Sequence, residues 1–303
     1  MFPIIPANSA TAAPEPNDEG LFGYGWTGSR LSITNKVSNA GVVASDTAGV
    51  GTGRSGLAAT EYGGDKGIFG YGNSGSYTAV TNLVSNTGVV ASDQAATTGT
   101  ARAELGACGY GGDKGIFGFG TTGSMVSVTN LVSNAGVVAS DTAGVGTARH
   151  CRGATEYGGD KGIFGFGTTV AWSSPVSITN LVSNAGVVAS DQAATTGTAR
   201  WGLAACGYGE DTCIFGYGTT GSTTNVTNLV SNVGVVASDT AGVGTDRDGP
   251  AACEYGQDKG IFGYGYKAGG KSMTNKVSNA GVVASDTAGV GTARERLTAC
   301  SFN

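Results

Sequence analysis

The chain is poor in the residues that most site chemistry needs. It has a single histidine, His150, and six cysteines with no Cys-x-x-Cys spacing among them, so neither set reads as a metal site. It has no Gly-x-Ser-x-Gly elbow, no histidine cluster, and no paired carboxylates unique to one part of the chain apart from Asp246 and Asp248. No helical period appears anywhere, so the Gly-x-Gly strings are not followed by the helix that a phosphate-cradling loop requires. Basic excess is missing too. With 17 Lys and Arg against 22 Asp and Glu, the net charge is −5, which argues against a nucleic-acid partner. No apolar run approaches the ~20 residues of a membrane-spanning helix. No charged start leads into an apolar signal core, so the expectation is a cytosolic protein, one released without a signal, or one already processed.

What is abundant is glycine, 55 residues in 303, and it falls at fixed places in a repeat. The motif Gly-Ile-Phe-Gly-(Tyr/Phe)-Gly and its variants start at Gly20, Gly67, Gly115, Gly162, Cys213 and Gly260, with spacings of 47, 48, 47, 51 and 47 residues. The longer spacings have visible causes: one extra residue in the runs beginning at Asp93 and Asp191, and three more between Val170 and Pro175. A period in this range marks a modular array whose units bury their apolar faces against one another.

Each unit holds four short β-forming segments, for example Leu203 to Tyr208, Gly162 to Phe166, Val176 to Val182 and Gly186 to Ser190. Tyr157-Gly158-Gly159-Asp160-Lys161 reads as a tight hairpin between the first and second. The second segment is apolar without alternation, as a strand covered on both faces would be. Four strands in about 47 residues, six times over, predict an all-β fold: a six-bladed β-propeller with four-stranded blades, at ~40 to 50 residues per blade. The ends are complementary. Leu21 to Gly25 is a second strand without its first, and Leu297 to Phe302 a first strand without its second, so the last strand is expected to complete the first blade. Residues 20–303 then form one propeller, preceded over 1–19 by an extended arm with four prolines that reads as a loose tail or, in the sharper reading, as an arm that docks on another subunit of an assembly.

The run Thr198-Ala199-Arg200, then Leu203-Ala204-Ala205, then a glycine turn, then Ile214-Phe215-Gly216-Tyr217-Gly218 resembles the kelch repeat. The double glycine of that repeat is replaced here by Gly-Tyr-Gly or Gly-Phe-Gly, and the spaced Tyr and Trp of its later strands are absent. The resemblance implies that the loops after the arginine and after the Gly-Tyr-Gly line one ligand-binding face.

Comparing the copies separates scaffold from novelty. Every unit keeps one Asp (Asp46, Asp93, Asp141, Asp191, Asp239, Asp286) and one Arg (Arg54, Arg102, Arg149, Arg200, Arg247, Arg294). Six identical catalytic pairs would be redundant, so the Asp is expected to cap the turn after the fourth strand and the Arg to pair with it or with carbonyls. Cys108, Cys206, Cys253 and Cys300 share one repeat position with Thr60 and Thr155, which predicts small, buried, unbridged strand sites. The copies differ just after the Arg and just after the Gly-Tyr-Gly, and these two zones hold all three tryptophans and the histidine. The candidate ligand-binding residues are therefore Trp26, Arg30, Tyr77, His150, Trp172, Trp201, Tyr266 and Lys271, types that carry binding energy at interfaces or stack on sugars. No catalytic residue, metal or cofactor is assigned. The expected role is a non-catalytic structural or binding propeller, such as a virion decoration, fibre or other adhesive coat protein, on a virion surface or in an extracellular assembly. A soluble lectin or kelch-like protein-interaction module, taking a glycan or peptide on the loop face, is the alternative.

Overall fold

The computed structural model describes residues 18–302 except 96, 98 and 194–196, so all but Asp18 and Glu19 of the expected arm lies outside the described residues. Among the described residues there is no helix, and the strands form six small antiparallel sheets of three strands each, plus one two-stranded hairpin. In chain order, the second to fifth sheets begin at Ala58–Tyr62, Gly106–Tyr110, Gly153–Tyr157 and Ala204–Tyr208, and the sixth at Ala251–Tyr255. The middle strand of the fourth sheet, Lys161–Gly165, pairs with Gly153–Tyr157 on one side and Thr179–Val182 on the other. The first sheet is made from both ends of the chain: Thr298–Phe302 runs antiparallel to Glu19–Trp26, with Glu19 opposite Phe302 and Gly23 opposite Thr298.

The hairpins form as the sequence dictates. Tyr157 pairs with Lys161 across Gly158 and Gly159, whose φ values of 63° and 71° are ones that side-chain-bearing residues rarely adopt. The Gly158 amide then donates to the Asp211 carbonyl in the next hairpin, and the corresponding bonds from Gly63, Gly111, Gly209 and Gly256 link turn to turn.

The fourth segment departs from expectation. It is not a strand: Gly186 to Ser190 meets the third strand at the isolated bridge Val182 to Val188, so the sheets have three strands rather than four. The reason is a side chain that substitutes for the ladder. Asn180, fully buried, donates through Nδ2 to the Ala189 carbonyl (3.1 Å) and to Asp191 Oδ1 (2.9 Å), while the Ala189 amide keeps one backbone bond to the Leu181 carbonyl (2.8 Å). The third strand of this sheet also starts at Thr179 rather than Val176.

The hydrophobic core is divided into six clusters, each lying between two consecutive sheets, the last between the sixth sheet and the first. The first strands follow the same order, each packed on the next, with Thr298–Phe302 touching both Ala251–Tyr255 and Ala58–Tyr62. Two glycines of the repeated motif are required by this packing. A Cβ on Gly162 would collide with the Cys108 sulfur of the preceding sheet, and one on Gly165 with the Phe215 ring of the following sheet. All six cysteines are buried and unbridged, as expected for Cys108, Cys206, Cys253 and Cys300.

The repeated arginines are the largest fully buried side chains, and each spans two sheets. Arg149 lies over the Phe119 ring (4.2 Å to its centroid) and donates through Nε to the Phe166 carbonyl (2.8 Å) and through Nη2 to Asn180 Oδ1 (2.8 Å). The carbonyl contact was foreseen. Pairing with the Asp is marginal: Arg149 reaches Asp191 at only 4.0 Å. Nor does the Asp cap its own turn. Asp191 accepts from the Thr147 amide (3.1 Å) and hydroxyl (2.6 Å), tethering the loop that arrives from the preceding sheet, and Asp46 does the same with Thr292 across the chain ends. Burial pushes the Asp191 carboxyl up, but the bonds from Thr147 and Asn180 outweigh it and leave the group below its ordinary range.

Candidate functional site

The two variable zones face each other. In every repeat the residue after the Arg and the residue after the Gly-Tyr-Gly form an isolated antiparallel bridge: Ser55 with Asn73, Ala103 with Thr121, His150 with Thr168, Trp201 with Thr219, Asp248 with Tyr266, and Glu295 with Trp26. The unrepeated side chains are thus gathered by the most repeated part of the backbone. The aromatic residue of the Gly-Tyr-Gly makes this geometry, because it takes a left-handed conformation in all six copies, from Tyr24 (φ 65°) to Tyr264 (φ 63°).

Between these pairs lies a cavity of about 380 Å³. Trp26, Arg30, Asn73, Tyr77, His150 and Trp172 form its walls, with Ser55, Thr121, Glu104 and Arg296 completing the lining. It is asymmetric because of the insertion between Val170 and Pro175. That insertion folds as a hairpin, Thr168–Val170 against Ser173–Pro175, with Trp172 at its tip. The Trp172 ring meets His150 edge-on at 5.4 Å and Trp201 at 5.1 Å, and the Arg296 guanidinium covers it at 4.5 Å. A smaller crevice behind Trp172 contains Trp201, Arg152, Asp248 and Glu295.

Of the eight residues singled out from the sequence, Trp26, Arg30, Tyr77, His150 and Trp172 line the cavity together, and Trp201 backs its Trp172 wall. Tyr266 and Lys271 do not join them; Tyr266 is paired with Asp248 and Lys271 with Arg294. Arg30 lies 5.3 Å from the Trp26 ring centroid and donates to Asn73 Oδ1 (2.7 Å), while its Nε is buried without a partner. His150 is 6% exposed and its Nδ1 has no hydrogen-bond partner. Burial holds the imidazole below its usual pKa, so it is neutral at pH 7.

Sequence reading missed Glu104, Arg152 and Arg296. Glu104 and Arg296 stand two places after the repeated Arg, where Gly56, Gly202 and Gly249 stand in other copies, and they keep the left-handed backbone of those glycines, with φ of 55° and 53°. A charged residue in a glycine slot was the available signal. Arg152 occupies a place held by Leu57, Leu105, Leu203 and Leu297, and it reaches from the fourth sheet to the Leu297 carbonyl, to which it donates (3.1 Å), while pairing with Glu104 (3.7 Å).

The first strands border two small cavities of about 40 and 50 Å³, the first lined by Arg152 and mostly by alanines, the second by alanines together with Thr, Cys and Glu side chains. Glu61, Glu156 and Glu254 stand at the second of these with Gly109 and Ser301, and along the chain they alternate at one repeat position with Gly109, Gly207 and Ser301. A Cβ at Gly109 or Gly207 would strike the neighbouring glutamate. Among the described residues, no group of three or more His, Cys, Asp or Glu side chains is placed to hold a metal ion. Burial raises the pKa of the Cys108, Cys151 and Cys213 thiols, which keeps them protonated and poor nucleophiles. A scan against protein-family models finds no match, and a comparison with curated proteins finds none either.

Proposed function

We propose that the ring of sheets is a six-bladed β-propeller of kelch-like design and that it serves as a non-catalytic recognition module, binding a saccharide in the loop-face cavity. Six inter-sheet cores in cyclic order and a first sheet shared by both ends of the chain support the architecture. The observation that carries the function is a cavity of about 380 Å³ lined by unrepeated aromatic and polar side chains on an otherwise repetitive scaffold. Its size falls within the ~300 to 1,000 Å³ of small-ligand sites. Trp26, Tyr77 and Trp172 offer ring faces for the C–H faces of a sugar, while Asn73, Thr121 and His150 offer polar atoms for its hydroxyls. Such a disc suits an adhesive role on an outer surface, where rigidity and one pocket matter more than turnover. The test is a glycan array probed with the intact protein and with Trp26→Ala and Trp172→Ala. Binding to a defined glycan set that each variant weakens at least tenfold is expected; an array with no signal above background removes the saccharide reading.

A further inference from the structure

Resting on that saccharide reading, the geometry points to a narrower ligand class: we infer that the cavity takes a sugar bearing a carboxylate, held by the guanidinium groups of Arg30 and Arg296. Both arginines line the cavity, and neither has a carboxylate oxygen within 4 Å among the described residues. Arg30 is aimed by Trp26 and by its bond to Asn73, which leaves its Nε buried and unpartnered. Arg296 is held flat over Trp172. The carboxylate in the cavity lining, Glu104, is already paired with Arg152 beneath it. The cavity wall is therefore cationic in a chain whose net charge is −5, so the local sign does not follow from overall composition.

The other nearby carboxylates, Asp248 and Glu295, share the crevice behind Trp172 with Arg296, where burial pushes both above their ordinary range and the Arg296 charge draws them back, and neither comes within 4 Å of its guanidinium. Arg296 also occupies a left-handed backbone position that Gly56, Gly202 and Gly249 fill without strain. An arginine kept there against local preference is explained by what its charge does in the cavity. A planar guanidinium matches a carboxylate through paired hydrogen bonds.

The experiment titrates the full chain with glucuronic acid, with N-acetylneuraminic acid, and with glucose as the neutral counterpart of glucuronate, reading tryptophan fluorescence and calorimetry. At least one acid is expected to bind tenfold or more tighter than glucose, with affinity falling as salt rises. Arg30→Gln and Arg296→Gln are each expected to lower that affinity at least tenfold, a larger factor than either takes from any glucose binding. Arg296→Gly, which installs the residue other copies carry, gives a second variant with no backbone penalty and the same expected loss. Equal binding of acids and glucose, or full acid affinity in the arginine variants, overturns the carboxylate inference alone. If no sugar of either kind binds, the saccharide reading falls with it.

Discussion

At the residue scale the arginine repeated in each unit explains most of the sequence around it. A guanidinium has five donors and a flat face, so one side chain can bond the carbonyl of one sheet and an asparagine while lying on the aromatic ring of another. The left-handed tyrosine or phenylalanine beneath it is strained by about 1 to 3 kcal/mol, and the stacked cation offsets that cost. Burial pulls Arg200 down to about 10, still charged at neutral pH. Lysine keeps the charge but loses the fork. Arg149→Lys should therefore destabilise the protein by about 2 to 4 kcal/mol, because the Phe166 carbonyl and Asn180 lose their donors inside the core. A urea midpoint within experimental error of the parent would show that the stack, and not the hydrogen bonds, holds the joint. The arginines and aromatics were legible in the sequence because they recur, and so was a carbonyl partner; the ring partner was not, because that contact crosses to the preceding sheet.

At the scale of the element, the first strands carry a pattern that periodicity alone hides. At one position of the successive first strands the residues run Glu61, Gly109, Glu156, Gly207, Glu254, Ser301, large and small in turn, since a side chain at Gly109 or Gly207 would strike the neighbouring glutamate. Burial pushes Glu254 up to about 8, with the Glu61 charge adding to it, and burial raises Glu156 beside Glu61, Glu254 and Asp160. The sign follows from linkage. A carboxyl whose folded pKa exceeds its unfolded value near 4.3 gives stability that is full below that value and lost as pH rises through the folded one. Stability should thus decline between about pH 4.5 and 8. Glu254→Gln should flatten that decline, raising the thermal midpoint by a few degrees at pH 8.5 and hardly at pH 5. Equal shifts at both values would mean that Glu254 is not charged in the folded protein.

The fourth segment teaches a different lesson at the same scale. Its glycine, valines and serine look like a strand, yet Asn180 and its counterparts take the carbonyl that a ladder would have used. Composition could not distinguish backbone pairing from a side-chain amide that imitates it.

For the molecule as a whole, closure is what remains to be earned by the chain ends. Phe302 is fully buried in the cluster it shares with Leu21, Tyr24 and Phe69, between the first and second sheets. Phe302→Ala should cost about 3 to 5 kcal/mol, as for other large aromatic side chains removed from a core. Removing residues 297–302 should do more, replacing one cooperative unfolding transition with a broader one, because it strips the first sheet of its inner strand and interrupts two inter-sheet cores. Retention of a single sharp calorimetric transition after that deletion would contradict the role given to the shared sheet.

The sequence alone determined the unit, its all-β character, its hairpins, its small buried strand sites and the complementarity of the two ends, because these depend on local backbone preference and on spacing that repetition makes audible six times. Only the tertiary structure decided that Trp26, Arg30, Tyr77, His150 and Trp172 share a cavity while Tyr266 and Lys271 do not, and that Glu104, Arg152 and Arg296 belong beside it. Those outcomes depend on which way side chains lean across sheets up to 270 residues apart in the chain, as between Arg294 and Tyr24, and on one short hairpin that tips Trp172 over the face.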